Sequence, residues 1–228
     1  MVAILEFVAR AEGSVRLADM VNELDAPRSS VHGLVHGLAS SGYLRATEDG
    51  RYTLGAAINA LLMHQSSLDH GIRSAMETLN LEFDETVALV VIAGDSIVTT
   101  SAIESSKAVR YNPTIGVRRP LYPTSAGKCF LANASEAYRE KYLKRSFGSK
   151  RHREEVRADL EKVLADGFAI NLGDTLPDLR AVSVPVFDGQ SVSAVLTVGG
   201  PTSRFTDKLD AIVNSACEAA AHASKPSR

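Results

Sequence analysis

Residues 17–42 are the stretch that most constrains the fold of this chain of 228 residues. In the first half of the stretch, apolar residues recur at helical spacing, at Leu17, Met20, Val21 and Leu24. Asp25-Ala26-Pro27 interrupts this pattern, because proline disfavours helix in the preceding residue and suits the start of a new helix. A second apolar stripe follows at Val31, Leu34, Val35 and Leu38. The pattern predicts two short helices joined by a tight turn.

The second predicted helix has a short, polar outer face of the kind that enters a DNA major groove. After Gly42, a predicted C-cap, two strand-like runs at 43–47 and 51–54 flank an Asp49-Gly50 turn. A helix-turn-helix followed by a hairpin is typical of a winged helix, and the alternative is a small helical core domain with a decorative hairpin. The residues that we assign to DNA binding are Arg28, Ser29, Ser30, His32, His36, Arg45 and Arg51.

Charge alone does not favour nucleic acid, because the formal net charge is −2. The N-terminal part contains arginines but no lysine, which counts against strong non-specific binding to phosphates. The DNA hypothesis therefore depends on where Arg28, Arg45 and Arg51 are placed.

The N-terminal segment resembles the corresponding domain of the IclR family of bacterial transcriptional regulators. The matching residues are Ile4-Leu5, Leu17-Ala18, Pro27 to Val31, Leu38, Ser41 to Leu44, and Tyr52-Thr53-Leu54-Gly55. The last four are the most specific, since many winged helices share the others. One departure lies on the recognition helix, where family members often carry Tyr-Arg and this chain has His32-Gly33.

The remainder of the chain predicts a linking helix and a second domain. Residues 55–68 are apolar and helical in pattern, and we expect them to join the domains and to contact a partner subunit through Ile58, Leu61 and Leu62. Residues 69–228 alternate predicted helices with β-prone runs, among them 85–92, 96–103, 181–187 and 192–198. The expected order is a winged helix at 1–54, the linking helix at 55–68, and an α+β domain with an antiparallel sheet at 69–228.

This second domain also resembles the IclR family, whose C-terminal domain is a GAF-like effector-binding module. The matching stretches are 116–121, 124–128, 165–169, 184–188 and 200–201. Carried over by position, the resemblance implies an effector pocket formed by Ser125, Ala126, Asn171, Leu179, Ala181, Thr197 and Gly199. The chain departs from the family at 178–182, where it reads Asp-Leu-Arg-Ala-Val. The lining of the pocket therefore differs from that of its relatives.

An organic acid is the expected effector. Small residues at a predicted helix start, Thr124 to Gly127, offer backbone N–H groups and a favourable dipole for an anion. The alternative is a turn that serves packing alone. Arg110, Arg118, Arg119 and Arg180 lie among apolar neighbours; a surface position is the default for arginine, but a guanidinium in a pocket would pair with a carboxylate.

Other site chemistries find little support in the residues. His32 and His36 stand four apart on one helix, but nothing nearby completes a zinc site, so two polar residues facing DNA or water is the preferred interpretation. Cys129 and Cys217 match no metal spacing, and no Gly-x-Ser-x-Gly elbow is present. We expect no metal, no cofactor and no enzymatic activity.

The sequence therefore predicts a cytoplasmic transcriptional regulator without a membrane span or a secretory signal. Its expected partners are double-stranded operator DNA, a small organic acid effector, and further copies of itself in a homodimer or a dimer of dimers. Two alternatives remain open: a protein-interaction module that uses the winged helix for subunit contacts, and a small-molecule enzyme on the C-terminal domain.

Overall fold

The computed structural model describes residues 1–11, 13–47, 49–58 and 66–225. The chain divides into two compact units, Met1–Ser67 and Leu68–Arg228. Each unit has its own hydrophobic core and is described separately.

The N-terminal unit is a winged helix-turn-helix, as predicted. Its elements are α1 (Val2–Arg10), α2 (Leu17–Leu24), α3 (Arg28–Ser40), β1 (Leu44–Ala46) and β2 (Tyr52–Leu54). β1 and β2 pair antiparallel, and Gly50 in the turn between them has a φ of 73°. The core of the unit is formed by Ile4, Val8, Val15, Met20, Val31, Val35, Leu38 and Leu44.

Both ends of α3 follow from local chemistry. Asp25 ends α2 in the left-handed conformation, and Pro27 then occupies the N-cap of α3. At the other end, Tyr43 N–H donates to Leu38 O and Gly42 N–H donates to Ala39 O, which is the Schellman pattern. Glycine suits position 42 because its φ is 78°.

The apolar stripe of α3 is narrower than predicted. Val31, Val35 and Leu38 are buried, but Leu34 of the same apolar stripe is 37% exposed. The buried positions follow the spacing i, i+4, i+7, and Leu34 lies at the edge of that stripe.

The C-terminal unit is α+β. Its elements are α4 (Ser66–Phe83), β3 (Thr86–Ala93), β4 (Ser96–Ile103), β5 (Arg118–Pro120), α5 (Ser125–Ala132), α6 (Glu136–Ser146), α7 (Lys150–Asp166), β6 (Ala169–Asn171), β7 (Leu179–Asp188), β8 (Ser191–Pro201), α8 (Thr202–Phe205), a 3₁₀ turn (Thr206–Lys208) and α9 (Leu209–Ala223). The strands form one antiparallel sheet in the order β5-β4-β3-β8-β7-β6. This arrangement confirms the predicted fold class and fits the GAF-like expectation.

The sheet is covered on both faces, and the alternation along β7 shows how. Val182, Val184 and Val186 join the core formed with α4 and α9. Ala181 and Ser183 belong to the opposite face, against which α5 packs. Because successive strand residues point to opposite faces, one strand serves both layers.

Two helix starts differ from what the sequence pattern predicts. The amphipathic pattern of 154–166 predicts a helix that begins at Glu154, but α7 begins one turn earlier at Lys150, because the Ser149 hydroxyl accepts the His152 N–H and caps the helix. The pattern also predicts a closing helix from Thr206, but α9 begins at Leu209, after α8 and the 3₁₀ turn. Phe205 is fully buried in the core, so this corner serves packing rather than continuing one helix. Half of the predicted linking helix, 59–65 with Leu61 and Leu62, lies outside the described residues.

Candidate ligand cavity and nucleic-acid interface

The residues predicted to form a pocket come together around one cavity of about 50 Å³ in the C-terminal unit. Of the seven, six line this cavity: Ser125, Ala126, Asn171, Leu179, Ala181 and Thr197. Gly199 lies next to it, in contact with the ring of Tyr111, which does line the cavity.

Sheet register explains this convergence. β7 and β8 pair so that Ala181 lies opposite Gly199 and Ser183 lies opposite Thr197. α5 packs across β7, which places its first residues over these pairs. Gly127 permits the tight turn that leads into α5, because a Cβ there would collide with Leu121 O.

A chain of buried hydroxyls runs along one wall. The Ser183 hydroxyl lies 2.8 Å from that of Ser125 and 2.8 Å from that of Thr197. All three residues are nearly or fully buried. Hydroxyl groups can exchange donor and acceptor roles, so this wall can adapt to a polar ligand atom. Sequence analysis missed Ser183, although a serine within the apolar run Ala181 to Val186 was a usable signal.

Asn171 serves the neighbouring loop. Its Oδ1 accepts N–H groups from Gly173 at 2.8 Å and Asp174 at 2.9 Å, and its Nδ2 donates to the Thr175 hydroxyl at 2.8 Å. Because these bonds already engage both ends of the amide, Asn171 shapes the loop that forms one wall of the cavity.

Lys128 connects α5 to the same loop. Its Nζ lies 3.3 Å from Asp174 Oδ2 and 2.9 Å from Asp159 Oδ2 of α7. Burial by itself would lower the pKa of Lys128, but hydrogen bonds and charges of the two aspartates outweigh burial and raise it. Lys128 thus connects α5 to the 171–178 loop.

The four arginines singled out from the sequence have different surroundings. Arg110 pairs with Glu104 at 2.7 Å, and Arg118 donates to Ala93 O at 2.6 Å. Arg180 places Nη1 against Gly173. Arg119 is the one of the four that lines the cavity.

The predicted DNA-contacting residues of α3 share an exposed face. Arg28, Ser29, Ser30, His32 and His36 are all exposed, opposite the buried stripe of the helix. Gly33 and Gly37 lie on the same face, where an added Cβ would meet nothing within 4 Å. The face is therefore smooth as well as polar.

The two wing arginines differ in availability. Arg45 is exposed on β1. Arg51 is half-buried, and its guanidinium lies 3.1 Å from Asp49 Oδ2 and 3.5 Å from Ser14 O. Arg51 would have to leave these partners to reach a phosphate.

Neither a metal cluster nor a membrane span is found in the part of the chain that the structure describes. No three His, Cys, Asp or Glu residues there stand close enough together to hold an ion. No described helix is both long and apolar enough to cross a bilayer.

Comparison with known proteins finds one family for both units. Residues 60–227 match the family model described as bacterial transcriptional regulator IclR C-terminal. Residues 1–48 match the model of the IclR helix-turn-helix domain. The two matches follow the order of the two units.

Individual relatives agree over nearly the whole length. The HTH-type transcriptional regulator KipR of Bacillus subtilis is 25% identical, over 93% of this chain and 89% of its own. The transcriptional repressor IclR of Escherichia coli is 26% identical, over 90% of this chain and 79% of its own. A crystal structure of an IclR homolog from Microbacterium hydrocarbonoxydans, complexed with 4-hydroxybenzoate, has a TM-score of 0.79 at 22% identity and covers 98% of this chain and 95% of its own.

Proposed function

Because the chain belongs to the IclR family of bacterial transcriptional regulators, we propose that its N-terminal unit binds operator DNA under the control of a small organic acid bound in the C-terminal cavity. The expectation that it is not an enzyme is confirmed, since its relatives are named as transcriptional regulators and repressors. We also propose a cytoplasmic location, since operator DNA is its proposed target. We assign DNA binding to residues 1–54, linkage to 55–68 and effector binding to 69–228.

The cavity is the observation that carries the effector part of the proposal. It is concave, mostly apolar, and provided with a few convergent polar groups, as small-molecule sites are. Ser125 and Ala126 stand at the first positions of α5, whose N–H groups have no partner within the helix. Together with the hydroxyl wall, they suit a carboxylate or a similar polar group.

The exposed face of α3 carries the DNA part. Its N-terminal residues, Arg28 to Ser30, are free of the core and positioned as base-contacting residues are in recognition helices. Arg45 on the wing adds a charge for the phosphate backbone. Control by the effector requires that the acid bind one arrangement of the protein more tightly than another.

A cavity-filling variant tests the link between ligand and DNA. Ala181→Val adds two methyl groups inside a cavity of about 50 Å³, so we expect it to weaken binding of organic acids in calorimetry. Operator binding in a gel shift should persist but lose its response to the acid. Ala93→Val, on a half-exposed strand position away from the cavity, is the matched control. If Ala181→Val bound the acids as tightly as wild type, the effector site would have to lie outside this cavity.

We also propose that the protein acts as a homodimer or a dimer of dimers. One short recognition helix with few basic residues provides little affinity, and two half-sites would compensate. Ile58, with the sequence that follows it, is the proposed contact. Light scattering at micromolar concentration should give at least twice the chain mass of 24.4 kDa. A monomer that binds operator at full affinity would contradict this assignment.

A further inference from the structure

Tyr111 and Arg119 stand at the boundary between the cavity and a larger surface groove. Both residues, with Leu179, line the inner cavity of about 50 Å³ and also an outer groove of about 440 Å³. The groove is further bordered by Arg110, Leu176 and Pro201. These shared residues are therefore the partition that keeps the inner cavity small.

The Tyr111 ring packs closely against the backbone at Gly199. A Cβ added to Gly199 would lie 2.9 Å from Tyr111 Cδ1, closer than real side chains approach. The ring thus occupies the place that a side chain at 199 would take. Burial raises the pKa of the Tyr111 hydroxyl, which keeps the residue neutral.

The main chain beneath the ring is anchored. The buried Thr86 hydroxyl donates to Tyr111 O at 2.6 Å. Arg204 Nη2 donates to Val109 O at 2.7 Å, and the same guanidinium is held by the fully buried carboxylate of Glu85. These bonds anchor the main chain that carries the Tyr111 ring, so the ring has a fixed base in the partition.

Arg119 gives this wall a charge. In the part of the chain that the structure describes, no carboxylate lies within the 4.0 Å of an ion pair with Arg119. Arg119 is a half-buried residue of β5 whose charge acts on Tyr111. A half-buried cation that faces a cavity without a counter-charge favours an anionic ligand.

We propose that Tyr111 and Arg119 determine effector specificity, Tyr111 by excluding aromatic acids from the inner cavity and Arg119 by selecting a carboxylate. This rests on the proposed function of the cavity. An engineered cavity of about 150 Å³ accommodates benzene. The inner cavity has about one third of that volume, which is too small for a benzene ring and favours the shortest aliphatic acids, of about two carbons. The 4-hydroxybenzoate held by the Microbacterium homolog is too large for it.

Calorimetry with two probe sets tests the size filter. The short probes are acetate and glycolate, and the aromatic probes are benzoate and 4-hydroxybenzoate. Wild type should bind at least one short acid and neither aromatic acid. Tyr111→Ala joins the cavity to the groove and should raise affinity for an aromatic acid about tenfold or more, since it removes most of a ring from the path. Tyr111→Phe keeps the ring and should behave as wild type.

The same titrations with Arg119→Gln test the charge. Affinity for the short acid should fall about tenfold or more, as expected for loss of a charge-assisted hydrogen bond. Arg118→Gln removes the same charge from the opposite side of the same strand and should leave affinity unchanged.

The outcomes separate the two proposals. Aromatic binding by wild type, or by Tyr111→Phe as strongly as by Tyr111→Ala, overturns the size filter and leaves the cavity as the effector site. Equal losses in the two arginine variants overturn the role of Arg119. Binding of no probe to wild type or to Tyr111→Ala overturns both the specificity assignment and the proposed effector function.

Discussion

The Ser183 hydroxyl on β7 donates to the Ser125 hydroxyl at the start of α5, with 2.8 Å between the oxygens. This bond joins the central part of the sheet to the helix that packs across it. Thr197 on β8 extends the same chain of hydroxyls. A single buried serine thus connects the hydroxyls that α5 and β8 contribute to the polar wall of the cavity.

Ser183→Ala should therefore affect both stability and ligand binding. The change leaves the buried hydroxyls of Ser125 and Thr197 without a partner, which costs about 1–3 kcal/mol of unfolding free energy. Denaturant unfolding measures the loss, and calorimetry should show weaker acid binding. Ser193→Ala removes a half-buried hydroxyl on β8 that bonds to Val186 O, and it should cost less. Equal stability of wild type and Ser183→Ala would show that the hydroxyl chain is dispensable.

Arg28→Ala should weaken operator binding. Arg28 is exposed at the first position of α3, and removal of a base contact costs roughly 1–3 kcal/mol. If Arg28 contacts a phosphate instead, the salt dependence of binding should fall by about one unit. Gel shifts at several salt concentrations distinguish these cases. Arg151→Ala in α7 removes an exposed arginine from the other unit as a charge control. If Arg28→Ala bound the operator as tightly as wild type at every salt concentration, Arg28 would not be a DNA-contacting residue.

Asp84 should make part of the stability depend on acid pH. The Ser106 backbone N–H and hydroxyl, with Lys107, lower the pKa of Asp84 from 3.8 to about 2. Since its native pKa is depressed, Asp84 contributes stability above the unfolded pKa and loses it as pH falls through about 2.

The matching variant is Asp84→Asn, because asparagine tolerates the φ of 47° at this position. Its melting temperature should be lower than that of wild type near neutral pH, and the gap should narrow between pH 4 and 2. Thermal unfolding across that range measures the effect. A difference in melting temperature between wild type and Asp84→Asn that stays constant at all pH values would show that the Asp84 carboxylate does not cause the pH dependence.

Gly33→Ala should stabilise the recognition helix. An added Cβ at Gly33 meets nothing within 4 Å, so the change costs no packing. Alanine is favoured over glycine within a helix by about 1 kcal/mol. The unfolding free energy should rise by about that amount. A fall in operator affinity at the same time would show that DNA approaches this face closely. A lower unfolding free energy for Gly33→Ala would contradict the finding that the space around Gly33 is open.

Local patterns determined most of the secondary structure. The run at 96–103 was predicted as β-prone with the bounds that the structure gives to β4, and the start of α5 was predicted within 124–127, because strand propensity and helix starts are encoded by neighbours in the chain. The winged helix followed from helical spacing in 17–42 and from Asp49-Gly50 in the wing. The positions of the pocket residues came from resemblance to a family, which carries structural information that periodicity lacks.

Tertiary structure alone decided what surrounds those residues. Leu34 fits the helical period of α3 but is 37% exposed, because burial depends on which helices pack against the stripe. Ser183 and Tyr111 entered the site through strand register and a loop anchored at Thr86. The volume of the cavity depends on where one ring meets Gly199. Sequence periodicity reports which side of an element is apolar, but only packing sets the distances between elements far apart in the chain, and these distances shape a ligand site.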